Sequence, residues 1–471
     1  MGNPDAPCYN RSRTGISSPA PCFRRCHLAN PVNAARSVET APRFTPTVIT
    51  RVEDTGLSAL WLQDLALKIF YFRGYLTGFR VADLMALPFT GIVDQIVETL
   101  KRDKLIEVKS QTGIGDGAYQ YAITGQGMIR AREALERSQY AGAAPVPLAD
   151  YNAAIRKQAR ARPAVNARVM HQCLNTLTLS ETTFSRIGPA VNSGTSIFLY
   201  GPPGNGKTTM ARAIGDLILQ EEMYIPYALD VEGHVVKLYD TVNHQLVPED
   251  DPSSSQAVSS IQRSASKRDP RWVRIRRPFI MVGGELTLAG LDLVFNDVQK
   301  YYEAPFQVKA NGGILLIDDF GRQQVRPRDL LNRWIVPLEN RIDYLTLHTG
   351  QKIEIPFDVM VVFSTNLPPK ELVDEAFLRR LRHKIEVVDP TFDEYRMIFK
   401  RVAEGKGVVY NEQALAYLIQ EYYIKTNRKP RASHPRDLCD QILDIGRYMG
   451  SEPTMTKDLI DRAAQSYFVE L

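Results

Sequence analysis

Residues 195–210 read Thr-Ser-Ile-Phe-Leu-Tyr-Gly-Pro-Pro-Gly-Asn-Gly-Lys-Thr-Thr-Met, and they carry the most specific pattern in the sequence. The apolar run 197–200 predicts a buried β-strand, and residues 209–219 carry apolar side chains at helical spacing. Between them, residues 201–208 fit the pattern G-x-x-x-x-G-K-[ST]. In a strand–loop–helix setting this pattern binds phosphate, because glycines let backbone N–H groups turn inward and the helix N-terminus attracts anions. The stretch therefore predicts a nucleotide site.

The candidate phosphate ligands are consecutive in the chain. They are Gly201, Pro202, Pro203, Gly204, Asn205, Gly206, Lys207, Thr208 and Thr209. Lys207 is expected to reach the β- and γ-phosphates, and Thr208 to place its hydroxyl on a magnesium ion. The loop position predicts that Lys207 faces solvent and contributes charge rather than packing. ATP and Mg²⁺ are the cofactors that this motif predicts.

Two further strands are predicted to end in polar side chains that suit the same chemistry. Residues 313–320, Gly-Ile-Leu-Leu-Ile-Asp-Asp-Phe, read as a buried strand that delivers Asp318 and Asp319 at its tip. Asp318 would hold Mg²⁺, and Asp319 stands where a water-activating carboxylate is needed. The apolar run 359–364 leads to Asn366, which could orient the attacking water.

The order of these motifs resembles that of AAA+ ATPases, over residues 171–471. An Arg-Arg-Leu-Arg string at 379–382 follows, and Ser-His-Pro-Arg-Asp at 433–437 opens a helix with Pro near its first position. The resemblance implies that Asn366 is similar to the sensor-1 asparagine and Arg436 to the sensor-2 arginine. It implies that Arg379 or Arg380, with Arg382 as a third candidate, acts as the arginine finger on the neighbouring subunit's nucleotide.

One position departs from the common AAA+ pattern, which has Glu after the metal-binding Asp. This chain has Asp319, whose side chain is one methylene shorter, so its carboxylate lies about 1.5 Å further from the water. Replication initiators and helicase loaders of the superfamily also carry Asp-Asp, so hydrolysis is compatible with this pair. A slow, nucleotide-gated scaffold is the alternative that Asp319 suggests.

The gap between the phosphate loop and the Asp318 strand is longer than a minimal AAA+ core needs. It contains residues 231–247, with a hairpin turn at Glu232-Gly233, and a basic strand at 271–277. A second hairpin is predicted at 344–355. Insertions at these places resemble the branch with magnesium chelatase and MoxR-type chaperones, in which the hairpins face a ring pore and grip the substrate. Surface decoration is the alternative.

The chain of 471 residues predicts five regions. They are a disordered basic tail (1–52), a winged-helix-like domain (53–140), a linker (141–170), an α/β nucleotide-binding core (171–388) and a helical lid (389–471). The tail alone accounts for the net charge of +5. The predicted fold class is thus a P-loop α/β parallel sheet with an all-helical lid, preceded by a small α+β domain.

The predicted arginine finger and the charges on the winged-helix-like domain predict the binding partners. By the resemblance, a finger shared between subunits implies a homo-oligomer, a hexameric ring. Hydrolysis would then move the inserted hairpins and remodel a protein partner recruited by the N-terminal domain. The rival is a DNA-acting initiator, loader or regulator that uses the third helix of the winged domain. That helix offers Asp94 and Glu98, with positive charge only at Lys101 and Arg102, which disfavours DNA.

Hydropathy and cysteine content predict the cellular location of the protein. No apolar run approaches the ~18 residues of a membrane span, so no membrane is expected. The odd number of cysteines, 5, does not suggest a disulfide framework, and a cytoplasmic location is expected.

Overall fold

The computed structural model describes residues 44–111, 113, 115–159, 165–174, 177–219, 221–248, 268–372 and 378–468, without the side chains of 217–219. All of the described residues belong to one compact unit. Most of the predicted tail lies outside them, but its end does not behave as predicted. The ring of Phe44 packs against Trp272 with centroids 5.6 Å apart, and Ile49 is buried. These single apolar residues have no periodicity that would reveal their packing.

The helices and strands follow the chain in a mixed order. The helices are α1 (Ala59–Arg73), α2 (Gly78–Met85), α3 (Asp94–Arg102), α4 (Gly125–Arg137), α5 (Leu148–Ala159), α6 (Ala167–Cys173), α7 (Glu181–Ser193), α8 (Lys207–Leu219), α9 (Phe306–Lys309), α10 (Pro327–Arg333), α11 (Ile335–Asn340), α12 (Pro369–Leu372), α13 (Phe392–Lys406), α14 (Glu412–Ile419), α15 (His434–Met449) and α16 (Lys457–Tyr467). The strands are β1 (Leu76–Thr77), β2 (Ile106–Gln111), β3 (Tyr119–Ile123), β4 (Val146–Pro147), β5 (Ser196–Tyr200), β6 (Glu222–Pro226), β7 (Ala228–Val231), β8 (His234–Lys237), β9 (Trp272–Arg276), β10 (Phe279–Val282), β11 (Val294–Asn296), β12 (Tyr301–Glu303), β13 (Ile314–Ile317), β14 (Ile342–Thr346), β15 (Lys352–Pro356), β16 (Met360–Thr365) and β17 (His383–Glu386).

A five-stranded parallel sheet forms the centre of the nucleotide-binding region. Its order is β10-β13-β16-β5-β17, and every neighbouring pair is parallel. All residues of β13 and β16 are buried, as expected for parallel strands that are covered on both faces. One face packs around Phe198 and Phe363, and the other around Ile197 and Val362. The predicted α/β class with a parallel sheet is confirmed.

The C-terminal region is helical, as predicted. Helices α13 to α16 bury a common core that includes Phe399, Leu415, Leu438 and Leu459. Helix α13 begins with a capping box, in which Thr391 and Glu394 each satisfy the other's backbone N–H. The boundary between sheet and helices therefore falls in the short connection after β17.

The N-terminal region has the predicted three helices followed by two strands, and two further elements. Strand β1 joins the sheet in the order β1-β3-β2, with antiparallel pairing, and α4 packs against α1. The core buries Leu62, Phe70, Val93 and Leu100. A strand of two residues is too short for a periodic pattern, which explains why the sequence does not reveal β1.

The two predicted hairpins are present, but they are parts of one packed body rather than separate projections. Hairpin β7–β8 turns at Glu232 and Gly233, which have φ angles of 52° and 86°. It lies in a sheet of order β11-β12-β8-β7-β4. The second hairpin, β14–β15, buries Leu345 and Ile355 in the same core as Val236 of the first.

The segment 141–170 is more ordered than the predicted linker. Strand β4 pairs with β7, and α5 buries Tyr151 and Ile155 in the core that the two hairpins share. The basic residues Arg156 and Lys157 of α5 are exposed. Only one face of a short helix is apolar, and this weak pattern explains the difference.

Strand β9 is anchored at both ends by buried arginines. Arg271, only 2% exposed, forms an ion pair with Asp269 and donates hydrogen bonds to the carbonyl oxygens of Thr55 (2.7 Å) and Pro145 (3.0 Å). Arg277 donates to the Gly312 carbonyl at 2.8 Å, just before β13. The basic character that the sequence shows at 271–277 is thus largely used inside the protein.

Candidate functional site

The predicted nucleotide residues meet at one edge of the parallel sheet. Strand β16 lies between β5 and β13, so Asn366, which follows β16, stands between the loop after β5 and the carboxylates after β13. Lys207 Nζ donates to Asn366 Oδ1 at 2.6 Å and to the carbonyl oxygens of Gly201 and Pro202 at 2.9 and 2.8 Å. The carboxyl ends of parallel strands are the usual place for ligands in open α/β sheets.

The two aspartates after β13 take separate positions. Thr208 Oγ1 donates to the Asp318 carboxylate, with distances of 3.1 and 2.9 Å to its two oxygens. Asp319 accepts a hydrogen bond from Asn366 Nδ2 at 3.0 Å. Asp319 has a φ of 49°, a left-handed conformation that Asp tolerates better than most residues, and it is exposed. This backbone turn separates a carboxylate beside Thr208 from one beside Asn366.

The loop needs glycine at its first position. Gly201 has a φ of 139°, and a Cβ there would lie 2.2 Å from the Val387 carbonyl oxygen. Gly204 and Gly206 also have positive φ angles, which lets successive backbone N–H groups of the loop turn toward one side. The loop ends where α8 begins, at Lys207, so the helix N-terminus faces the same space.

The environment of Lys207 differs from the prediction. Its side chain is 6% exposed rather than solvent-facing, because it folds back along its own loop toward Asn366. Burial lowers the pKa of the Lys207 ammonium, while the nearby carboxylates of Asp319 and Asp318 act to raise it. The charge of Arg431 adds to the lowering, which places a second cation close to this loop.

Arg431 is a candidate residue that the sequence does not reveal. Its Cδ lies 3.7 Å from the place that a Cβ on Gly204 would take. The segment that carries it contacts the loop directly, since the backbone N–H of Ser433 donates to the Gly204 carbonyl at 2.8 Å. The only signal in the sequence is its place five residues before the predicted Arg436, in a turn-rich stretch.

The predicted arginines do not lie in the cluster around Lys207. The Arg436 side chain is 66% exposed, and its Nε donates to Asp437 at 3.1 Å. Arg380 Nε donates to Glu339 at 2.6 Å, and Arg379 is exposed. The structure therefore brings together Lys207, Thr208, Asp318, Asp319 and Asn366, but shows Arg379, Arg380 and Arg436 bonded outward or exposed to solvent.

We predict that Arg431→Ala weakens nucleotide binding more than Arg436→Ala does. A hydrogen bond to a charged group contributes about 1.5–3 kcal/mol, so loss of the cation near Gly204 should raise the Kd of the isolated chain at least about tenfold. Titration with a fluorescent ATP analogue measures this. The outward Arg436 is the matched control, and an equal or larger effect there would restore it as the arginine of the site.

The residues present suit Mg²⁺ and a polyphosphate. The Thr208 hydroxyl and the Asp318 carboxylate are the hard oxygen ligands that Mg²⁺ prefers, and they already lie within hydrogen-bond distance of each other. The glycine loop, the start of α8 and Lys207 provide N–H groups and positive charge for phosphate oxygens. This arrangement has the features expected of a P-loop type of nucleotide site.

Comparisons with known proteins bear on parts of the chain. The family model of a domain of unknown function, DUF8689, matches residues 391–466, which lie in the helical C-terminal region. No curated protein matches the chain. In the part of the chain that the structure describes, no helix is long and apolar enough to cross a membrane.

Solved structures match the chain at low similarity. The chain is similar to a mutant of RuvB from Thermotoga maritima, with 15% identity, a TM-score of 0.36, and coverage of 63% of this chain and 72% of that chain. It is also similar to NtrX from Brucella abortus in complex with ADP, with 17% identity, a TM-score of 0.36, and coverage of 71% of this chain and 65% of that chain. The chain thus spans less than two thirds of that NtrX structure.

Proposed function

We propose that this protein is a magnesium-dependent ATPase of the AAA+ type. The observation that carries the proposal is the joined cluster in which Lys207 contacts Asn366, Asn366 contacts Asp319, and Thr208 contacts Asp318. Three segments that are distant in sequence supply these side chains to one edge of one sheet. Separate solvated acids and a chance glycine turn would not be expected to converge in this way.

Each residue of the cluster has a distinct role in the proposal. Thr208 and Asp318 would hold Mg²⁺, which neutralises charge on phosphate oxygens when bound. Lys207 would stabilise the negative charge of the transferred phosphoryl group. Asn366, already hydrogen-bonded to Asp319 at 3.0 Å, would orient the attacking water, and the Asp319 carboxylate would accept its proton.

A ring of subunits would complete the site. Arg379 is exposed and Arg380 is held by Glu339 through a 2.6 Å contact, so this stretch is available at the surface to meet a neighbouring subunit. We infer that one of them, or Arg382, serves as the arginine finger of a homo-oligomer, most simply a hexamer. Residues 53–140 would recruit the substrate as a winged-helix-like domain.

We infer a protein substrate rather than duplex DNA. Basic residues of the N-terminal helix α3 and its following strand are paired with neighbouring acids. Lys101 contacts Glu98 at 3.2 Å, Arg102 contacts Asp103 at 3.5 Å, and Lys109 contacts Glu107 at 2.6 Å. Phosphate contacts dominate DNA affinity, so a surface with this pairing is poorly suited to a DNA backbone. Remodelling of a protein partner in the cytoplasm remains the favoured activity.

The test of the proposed function is the Asp318→Asn variant. Hydrolysis should fall at least about 100-fold, because Mg²⁺ supplies several kcal/mol of charge stabilisation, while ATP still binds. Phosphate release and nucleotide titration measure the two effects. Asp444→Asn, at an exposed position of α15, is the matched control and should leave both unchanged. Wild-type protein that binds no ATP would contradict the proposal, whereas tight binding with negligible turnover would favour the nucleotide-gated scaffold.

A further inference from the structure

Asn205 makes contacts that phosphate binding does not require. Its Nδ2 donates to Asp389 Oδ1 at 2.7 Å, across a sequence separation of 184 residues. Its Oδ1 accepts from the backbone N–H of Ala432 at 3.2 Å, across 227 residues. One side-chain amide in the phosphate loop thus contacts the connection between β17 and α13 and the segment before α15.

Both polar groups of the Asn205 side-chain amide form hydrogen bonds, and the side chain is shielded from water. The side chain is 7% exposed, and its N–H and C=O groups each have a partner. The bond to the Asp389 carboxylate is charge-assisted and therefore stronger than the bond between neutral groups that Ala432 makes. A partner left unpaired in a buried place is costly, so both contacts favour the observed position of the helical region relative to the loop.

A second contact fixes the same segment. The Ser433 N–H donates to the Gly204 carbonyl at 2.8 Å, and a Cβ on Gly204 would lie 2.5 Å from Ser433 Oγ. Gly204 and Asn205 together therefore hold residues 431–433 against the phosphate loop. A displacement of the loop by a bound polyphosphate would act on this segment first.

The segment is rigidly joined to the core of the helical region. His434, which follows it, is hydrogen-bonded through Nδ1 to the Tyr423 hydroxyl at 2.8 Å, and Tyr423 to the Tyr395 hydroxyl at 2.8 Å. Burial, together with the charges of Arg431 and Arg428, lowers the pKa of His434 to about 4, so the ring is neutral near pH 7. Movement of residues 431–433 would accordingly be carried into helices α13 and α15.

We propose that Asn205 is a positioning residue that transmits nucleotide binding from the phosphate loop to the helical lid, through Asp389 and Ala432. The inference rests on the proposed function, because it concerns the same nucleotide site. Binding of a polyphosphate orders the loop. Through the contacts of Asn205, this ordering stabilises the lid, so residues 423–436 undergo local opening more slowly. Coupling of this kind is a free energy shared by two sites and is measured at either one.

The test measures hydrogen exchange in the full chain with and without Mg-ADP. In the wild type, Mg-ADP should slow exchange in both the phosphate loop, 201–209, and the lid segment, 423–436. In Asp389→Ala, the loop should keep its protection, while the nucleotide-dependent protection of the lid segment should fall about tenfold or more, as expected for loss of a hydrogen bond to a carboxylate. Asp389→Asn keeps an oxygen that can accept from Asn205, so this variant should behave as the wild type.

Two further variants sharpen the result. Asn205→Ala removes both contacts and should lose the lid response at least as fully as Asp389→Ala does. It also replaces Asp389→Ala as the test variant if that protein does not fold. Asp393→Ala, at an exposed side chain of α13, is the control and should change neither region. Full lid protection in Asp389→Ala or Asn205→Ala, or equal loss in Asp389→Asn, would overturn the inference. So would a wild type whose loop responds without its lid, whereas a loop that does not respond to Mg-ADP contradicts the proposed function instead.

Discussion

Lys207→Ala should abolish tight ATP binding. The ammonium is the cation that donates to Asn366 and to two loop carbonyls, and in the proposed complex it would turn to phosphate oxygens. Charged hydrogen bonds of this kind contribute about 1.5–3 kcal/mol each, so the Kd should rise by about 10- to 150-fold for each bond lost. Titration with a fluorescent nucleotide measures the loss.

The fold should survive this change. We expect water to replace the ammonium at the three acceptors that Lys207 leaves behind, which are two loop carbonyls and the Asn366 amide oxygen. Lys237→Ala, an exposed lysine at the end of β8, is the matched control and should bind nucleotide normally. Near-normal affinity in Lys207→Ala would remove the phosphate-loop assignment, and unfolding would show that Lys207 stabilises the apoprotein.

Arg379→Ala or Arg380→Ala, at least one of them, should reduce ATP turnover while ATP binding is retained. Arginine fingers contribute about 10³–10⁵ in rate, so even partial loss of the residue's role would be measurable. Steady-state phosphate release at saturating ATP provides the measurement. Arg447→Ala, an exposed arginine near the end of α15, controls for loss of surface charge.

Mixing variants tests whether the site is shared. A subunit with Arg379→Ala or Arg380→Ala keeps an intact pocket, and a subunit with Lys207→Ala keeps an intact finger. Mixtures of the two should therefore recover part of the activity that each lacks alone. Normal turnover in both arginine variants would contradict the shared-site model.

The sequence predicts those parts of the site that depend on local pattern. The glycine spacing at 201–206 and the apolar runs before Asp318 and Asn366 can be recognised in the sequence. Each of these patterns depends only on a single strand and the residues that follow it directly. The order of strands is not visible, because pairing in a parallel sheet is set by contacts between distant residues. Only the structure shows that β16 lies between β5 and β13 and so places Asn366 between Lys207 and Asp319.

Tertiary contacts account for what the sequence did not predict. Lys207 belongs to a loop by pattern, yet it is buried because its own loop carbonyls and Asn366 surround the ammonium. Arg431 has no motif of its own and gains its place from the Ser433–Gly204 contact. Residues 44–52 lack periodicity but are packed through single side chains such as Phe44.

The anchoring of β9 has a mechanical consequence. Arg271 ties one end of the strand to the backbone carbonyls of Thr55, in the N-terminal region, and Pro145, and Arg277 ties the other end to Gly312, just ahead of the strand that Asp318 follows. A force applied to the N-terminal region would therefore be transmitted along β9 instead of being absorbed by a flexible linker. In the proposed ATPase, the N-terminal region would then be rigidly joined to the nucleotide-binding region, so a force exerted on a partner would also act on the backbone next to Asp318.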